Sequence, residues 1–286
     1  MVPVKSVGVI GLGVIGKPIA QRLVSGGFDV AVYDVRSEPV AALAAEGAKA
    51  CGSPAELART SEVVISLVSD AKQTHDVVFG TDGVLDAMAR GSIFVTGSTL
   101  GPSPVREVAE ALRAKGIETL DAPISGGYLA AAEGKLSVMA GGSQATLDRA
   151  MPALRAFAQS ITRAGDVGAG QAAKLAHQLV CSVNVMTLLE GLALGQAGGV
   201  EPAVMKRILR EGIADSAVLR LWDDLAPRWK GMLAPTPPDV TPPNLRKDLH
   251  LVLEYARELG VNLYVATQAS LIADSGNATG REDSGL

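Results

Sequence analysis

The chain has 286 residues, room for two domains or one large one. Its net charge of −4 comes from acidic and basic residues mixed along the sequence with no basic block, which argues against a nucleic-acid surface. Cys51 and Cys181 stand far apart in no metal or redox spacing, so a reduced, cytoplasmic protein without a metal site is expected. The opening MVPVKSVGVIG has one lysine and then a glycine pattern, so it does not read as a signal peptide. Aromatics are only 3% of the chain while small aliphatic residues abound, which suits helices packed closely on a parallel sheet.

In chain order, Ser6 to Ile10 is a short apolar run that fits a buried parallel strand. It leads into Gly11-Leu12-Gly13-Val14-Ile15-Gly16 and a helical pattern closed by Gly26-Gly27. A second strand, Asp29 to Tyr33, ends at Asp34. A G-x-G-x-x-G run alone is weak evidence, since glycine turns are common. With a strand before it, a helix after it and an acid about 20 residues on, it matches the dinucleotide fingerprint. Gly11 permits the turn, Gly13 lets a pyrophosphate approach the backbone, and Gly16 lets helix and strand pack closely. Asp34 can accept from a ribose 2′-OH and repels a 2′-phosphate, which favours NAD. Arg36 could pair with that phosphate and leaves NADP open.

The alternation continues. Residues 39–47 and 54–58 read as helices, 63–68 as a strand, 82–88 as a helix, 92–96 as a strand, 104–115 as a helix and 118–121 as a strand. Strand and helix in alternation mean a mostly parallel, doubly wound sheet. Ligands then sit beyond the C-terminal strand ends, where Val68-Ser69, Ser98-Thr99 and Asp121-Ala122-Pro123-Ile124-Ser125-Gly126-Gly127 fall. Ser125 with the uncovered amides of Gly126 and Gly127 can cradle a carboxylate, although read alone such a stretch is more often a plain loop. Residues 136–140 and 161–165 can extend the sheet around a helix at 144–157.

From Gly170 all signals are helical. Residues 167–194 are nearly charge-free, with only Lys174 and His177 before Glu190, and are expected to form a buried spine joining two domains. The stretch is expected to be too short for a bilayer, which takes roughly 20 apolar residues. Lys174 enters surroundings where nothing else is charged, so its ammonium form should be disfavoured and the amine should serve as proton donor and acceptor. His177 and Gln178 share its face. Helices follow at 202–212, 217–229, 245–259 and from 262, with a proline-rich loop at 234–243. A spine apolar on every side in so small a helical domain calls for a second subunit, as a homodimer or homotetramer.

GLGVIGKPIA, DAPISGG and GAGQAAKLAHQ, in this order and at these separations, resemble the β-hydroxyacid dehydrogenase family over essentially the whole chain. That family includes 3-hydroxyisobutyrate dehydrogenases and tartronate semialdehyde reductases, and 6-phosphogluconate dehydrogenase is a relative. The resemblance implies a Rossmann domain (1–166) followed by an all-α substrate and dimerisation domain (167–286). It implies NAD(P)-dependent interconversion of a small 3-hydroxy acid and its semialdehyde or keto acid. Lys174 would be the catalytic lysine, Ser125, Gly126 and Gly127 would bind the substrate carboxylate, and Thr99 and Lys247 would touch the cofactor. Residue types alone would make Lys247-Asp248 a solvated charge pair; the family pattern tips it towards the cofactor. Many acid-specific members have Asn after the lysine where this chain reads Lys-Leu-Ala-His-Gln, so His177 and Gln178 are expected to contact the substrate and set its identity. Packing of His177 at the domain boundary is the plainer alternative. Phosphogluconate is excluded as substrate because that enzyme's helical domain is far longer. The tail 280–286 resembles a shortened family ending, with Asp283 in an open role. An imine reductase relative would replace Lys174, and a non-catalytic dinucleotide-binding descendant would have lost Lys174 or the Ser-Gly-Gly loop; this chain keeps both.

Overall fold

In the computed structural model, which describes residues 4–225 and 243–275, the apolar runs of the first half form one twisted sheet. Its strands are β1 (Ser6–Ile10), β2 (Asp29–Tyr33), β3 (Lys49–Ala50), β4 (Val63–Ser66), β5 (Ile93–Thr96), β6 (Glu118–Asp121), β7 (Ile124–Ser125), β8 (Leu136–Gly141) and β9 (Ala158–Gly165). The order is β3-β2-β1-β4-β5-β6-β8-β7, with β9 also on β8. The first six pair in parallel; β8 turns antiparallel to β6 and β7 and parallel to β9. The helices of this half are α1 (Gly16–Ser25), α2 (Ser37–Ala45), α3 (Pro54–Ala58), α4 (Ala71–Phe79), α5 (Pro102–Ala114), α6 (Gly127–Glu133) and α7 (Gln144–Arg155).

The two-residue period of a strand explains why both faces are covered. Val63, Ile65, Ile93 and Val95 join the core beneath α1 and α7, with Ile19, Leu23, Leu147 and Leu154. Val64 and Phe94, one residue out of phase, join the opposite core beneath α4 and α5, with Val77, Val108 and Leu112. Each such side chain taken fully out of water contributes about 1.5–3 kcal/mol. The chain divides into two compact units, Met1–Lys174 and Leu175–Leu286. The second is helical, with α8 (Ala169–Ala197) running into it, then α9 (Pro202–Glu211), α10 (Ala217–Arg220), α11 (Trp222–Leu225), α12 (Pro243–Leu259) and α13 (Tyr264–Ser275). Its core gathers Val185, Leu188, Leu192, Trp222, Leu249 and Ala273. An α/β Rossmann unit followed by an all-α one is therefore what the chain builds.

Several elements differ from expectation. The helix expected at 82–88 lies instead at 71–79, because the Asp70 side chain caps it by accepting from Gln73 N–H at 2.8 Å and Gly80 ends it. Residues 82–88 form turns; Val84 and Met88 are buried without a helix. The expected single helix at 217–229 is two short ones as far as Leu225, separated at Leu221. The proline-rich loop 234–242 and the tail 280–286 with Asp283 lie outside the described residues.

Two corrections concern α8. It is 29 residues long, so by length and composition it could cross a membrane, contrary to the expectation from its charge-free run. At 1.5 Å per residue it extends about 44 Å. Nor is it buried on every side: only 28% of its most apolar stretch is buried, and Val180 and Leu194 are 60% and 77% exposed. Apolar composition set no single inward stripe, so one chain's worth of neighbours covers it only in part.

Candidate functional site

The glycine loop between β1 and α1 has the geometry its spacing demands. Gly11 takes φ +89°, and its N–H bonds back to Tyr33 O at 3.0 Å. A Cβ on Gly16 would collide with the Gly11 carbonyl, whereas one on Gly13 would meet nothing within 4 Å. Helix α1 follows Ile15 with no side-chain cap; in its first turn Lys17 N–H bonds to Gly13 O at 3.1 Å and Pro18 has no N–H, so the helix dipole rather than a row of open N–H groups favours an anion here. A dinucleotide pyrophosphate fits the open backbone at Gly13, at the positive end of the helix, in both charge and room. At the end of β2, Asp34 is fastened to the same loop: Oδ2 accepts from Leu12 N–H at 2.7 Å. Oδ1 accepts from Arg36 N–H (2.9 Å) and Nε (3.0 Å), and Arg36 Nη2 reaches Oδ2 at 3.0 Å. Burial works to raise the Asp34 pKa, but the bonds from Arg36 and from Leu12 N–H overcome it and hold the carboxyl below its usual range.

The loops beyond β4 and β5 are tied together. Ser69 N–H bonds to Gln73 Oε1 at 2.9 Å, and the Ser98 hydroxyl donates to Val68 O. Gln171, fully buried on α8, spans the next loop. Its Oε1 accepts from Leu100 N–H (2.9 Å) and Gly101 N–H (3.2 Å), and its Nε2 donates to Ser98 O (2.8 Å). Thr99 is half-buried within that clamped loop. Beyond β6, Ser125 is half-buried, and Gly126 and Gly127 sit at φ +129° and +70°, a region L side chains rarely adopt, with their faces exposed. Asp121, the last residue of β6, is 0% exposed, and its oxygens accept from Gly168 N–H and Gln171 N–H, each at 2.8 Å. Burial, the larger influence, pushes its carboxyl above the usual range although these N–H groups pull it down. Lys174 follows on the same helix and is 6% exposed, a buried cation in the unit that carries the glycine loop and the Ser-Gly-Gly loop.

His177 and Gln178 fall on the helical side of the division. His177 is exposed, and its Nδ1 lies 3.2 Å from Gln178 Oε1; Gln178 Nε2 donates in turn to Asp248 Oδ2. Asp248 is buried on α12, with Lys247 Nζ 3.6 Å from its Oδ1. Two pairs that the sequence presents separately, His177-Gln178 and Lys247-Asp248, are thus linked: hydrogen bonds join His177, Gln178 and Asp248, and an ion pair adds Lys247. The fastening roles of Asp121 and Gln171 were not foreseen. A polar residue one turn before Lys174, in a run otherwise apolar, is the signal by which Gln171 could have been found.

Comparison with known proteins places these features in a wider set. Residues 6–165 match the model described as the NAD binding domain of 6-phosphogluconate dehydrogenase, and residues 168–286 match that of the NAD-binding of NADP-dependent 3-hydroxyisobutyrate dehydrogenase. A 2-(hydroxymethyl)glutarate dehydrogenase from Eubacterium barkeri is 34% identical over 97% of this chain and 91% of its own. Among solved structures, a 3-hydroxyisobutyrate dehydrogenase from Salmonella typhimurium has a TM-score of 0.84 at 32% identity, covering 96% of this chain and 95% of that one. A 3-hydroxyisobutyrate dehydrogenase from Mycobacterium tuberculosis solved with L-serine has a TM-score of 0.81 at 27% identity, covering 96% and 94%.

Proposed function

The chain belongs to the β-hydroxyacid dehydrogenase family and is an NAD(P)-dependent oxidoreductase of small hydroxy acids, and from that premise we propose that Lys174 is its proton-transfer residue. The observation that carries this reading is the burial of Lys174 on α8, in the same unit as the glycine loop and the Ser125–Gly127 loop. The nicotinamide, when bound, donates or accepts the hydride at the reacting carbon. In the reducing direction the Lys174 ammonium gives its proton to the aldehyde oxygen and stabilises the alkoxide as it develops. In the oxidising direction the neutral amine removes the hydroxyl proton. The Ser125 hydroxyl and the amides of Gly126 and Gly127 hold the substrate carboxylate, which fixes the reacting carbon for transfer.

The cofactor is held by the loop Gly11-Leu12-Gly13-Val14-Ile15-Gly16, by Val68, Ser69 and Thr99 and, on the family pattern, by Lys247. NAD is preferred over NADP, because Asp34 places a carboxylate at the end of β2 and engages Arg36, the cation that would otherwise meet a 2′-phosphate. His177 and Gln178 contact the substrate's hydroxyl or distal group; their bonded chain to Asp248 supports a fixed presentation of both. The nucleotide part is 1–166 and the substrate and dimerisation part 167–286. The half-exposed apolar face of α8 and a cavity of about 400 Å³ lined by Leu179, Val180, Val183, Tyr264 and Val265 support a homodimer or homotetramer.

The test is nicotinamide absorbance with 3-hydroxyisobutyrate, 2-(hydroxymethyl)glutarate, L-serine and tartronate semialdehyde, each with NAD and NADP cofactors. Lys174→Ala should lower kcat on the acid turned over by at least roughly 10²–10⁴-fold while dinucleotide still binds. A variant as active as the parent would remove Lys174 from the chemistry. A His177→Asn variant with an unchanged substrate profile would remove His177 from substrate selection.

A further inference from the structure

Asp121 is a buried charge to which the reaction above assigns no task. It closes β6, the strand that runs on into the Ser125–Gly127 loop, and its two carboxylate oxygens accept from the start of α8, Oδ1 from Gly168 just before the helix and Oδ2 from Gln171 in its first turn. That turn opens with N–H groups that have no partner inside the helix, and a negative charge there is favoured by the helix dipole. Gln171 N–H donates one of these bonds, and Lys174 lies one turn further along the same helix face.

We propose that Asp121 is a positioning residue for the reaction: by seating the first turn of α8 on the end of β6, it holds Lys174 in register with the substrate loop that β6 carries. The inference rests on the proposed role of Lys174. Three features separate it from ordinary helix capping. A neutral Ser or Asn would satisfy a helix start without the cost of burying a charge. Only a carboxylate, however, offers an acceptor oxygen to each of two N–H donors; an Asn amide has one. Space has also been cleared for it, since a Cβ on Gly141 of β8 would meet the Asp121 carboxylate before any other group, at Oδ1 and then at Cγ. Finally, Gln171 binds the same turn to the loop after β5 through three further bonds. Since β5 and β6 are neighbours, with Thr96 paired to Asp121, the turn is anchored at two adjacent strand ends. Two anchors stop the helix start both from sliding along its axis and from rotating about it, the two motions that would carry Lys174 away from the substrate loop.

The experiment compares Asp121→Asn, Lys174→Ala and the double variant on the panel acid that the parent turns over fastest, with NAD affinity and circular dichroism alongside. A misplacement of about 1 Å costs on the order of 10²-fold in rate. Asp121→Asn should therefore lower kcat about 10²-fold, change KM much less, and leave NAD binding within about twofold. Added to Lys174→Ala it should cost nothing further, because the group it positions is gone. A folded Asp121→Asn that keeps kcat within about twofold overturns the inference, as does an equal loss in both backgrounds. If Asp121→Asn does not fold, Gly141→Ala, which keeps the carboxylate but crowds it, takes its place; failure of both to fold leaves Asp121 a plain structural cap and also overturns it. A fully active Lys174→Ala instead defeats the proposed chemistry itself, so the two failures are distinguishable.

Discussion

Asp34 and Asp121 occupy equivalent places, one just past β2 and the other at the end of β6, on the same edge of one sheet. Both accept backbone N–H groups from glycine-containing segments: Leu12 in one case, Gly168 and Gln171 in the other. Yet the Asp34 carboxyl is held below its ordinary range and that of Asp121 is pushed above it. Burial opposes the charge at both. At Asp34 it is outweighed with the help of a guanidinium, which lies within 3.0 Å of both oxygens while itself 60% exposed to water. At Asp121 the backbone N–H groups do not offset it. The comparison separates two uses of one residue type. The carboxylate proposed to meet a ligand is held below its usual range with a cation beside it, and the one at the helix start is bonded to backbone N–H groups.

The comparison breaks most visibly on removing each side chain. Asp121→Ala leaves at least two N–H donors in a fully buried position, and each such donor left unpaired costs about 1–3 kcal/mol. The loss should be about 2–6 kcal/mol, read as a lower urea midpoint with the slope unchanged. Asp34→Ala removes a bond to Leu12 and a pair with an exposed arginine, which is worth about 0–1 kcal/mol. Equal losses in the two variants would mean that burial does not set them apart.

A second test concerns the ligand. Asp34→Asn releases Arg36 and removes the repulsion of a 2′-phosphate, so the ratio of kcat/KM for NADP to that for NAD should rise about tenfold, roughly 1.4 kcal/mol. Asp121→Asn should leave that ratio where it was, since its bonds go to α8. A shift in both would show that Asp121 acts through the nucleotide loop.

The glycine loop and Asp34 were legible because their signals are local: turn, helix start and acid all fall within one βαβ unit. The doubly wound sheet was legible for the same reason, since short continuous apolar runs alternating with helices admit few arrangements. Asp121 was quoted within its motif, but its partners Gly168 and Gln171 are distant in sequence, and nothing local announces a bond that only the tertiary fold creates. The helix at 71–79 was missed because its cap, Asp70, precedes a polar run, while Val84 and Met88, read as helical, are buried in turns. For α8 the composition was read correctly as apolar, but composition does not state how much of it one chain can cover. His177 and Gln178 were foreseen as neighbours of Lys174; their link to Asp248 was not, because α12 lies far along the chain.

The smallest effect is the most discriminating, because the two aspartates should respond to pH with opposite sign. An unfolded aspartate titrates near 3.9. Asp34, with its folded value lowered, contributes stability that is fully present above that value and is lost as pH falls through the folded one. The stability advantage of the parent over Asp34→Asn should therefore shrink below about pH 4. Asp121, with its folded value raised, contributes stability that is fully present below the unfolded value and is lost as pH rises through the folded one. The advantage of the parent over Asp121→Asn should therefore shrink as pH climbs above about 4. Urea unfolding of the parent and both variants at each pH gives these differences directly, since groups common to all three cancel. Slopes of the same sign would mean that Asp121 is ionised as readily as Asp34, and the distinction between a cation-held and a dipole-held carboxylate would fall with it.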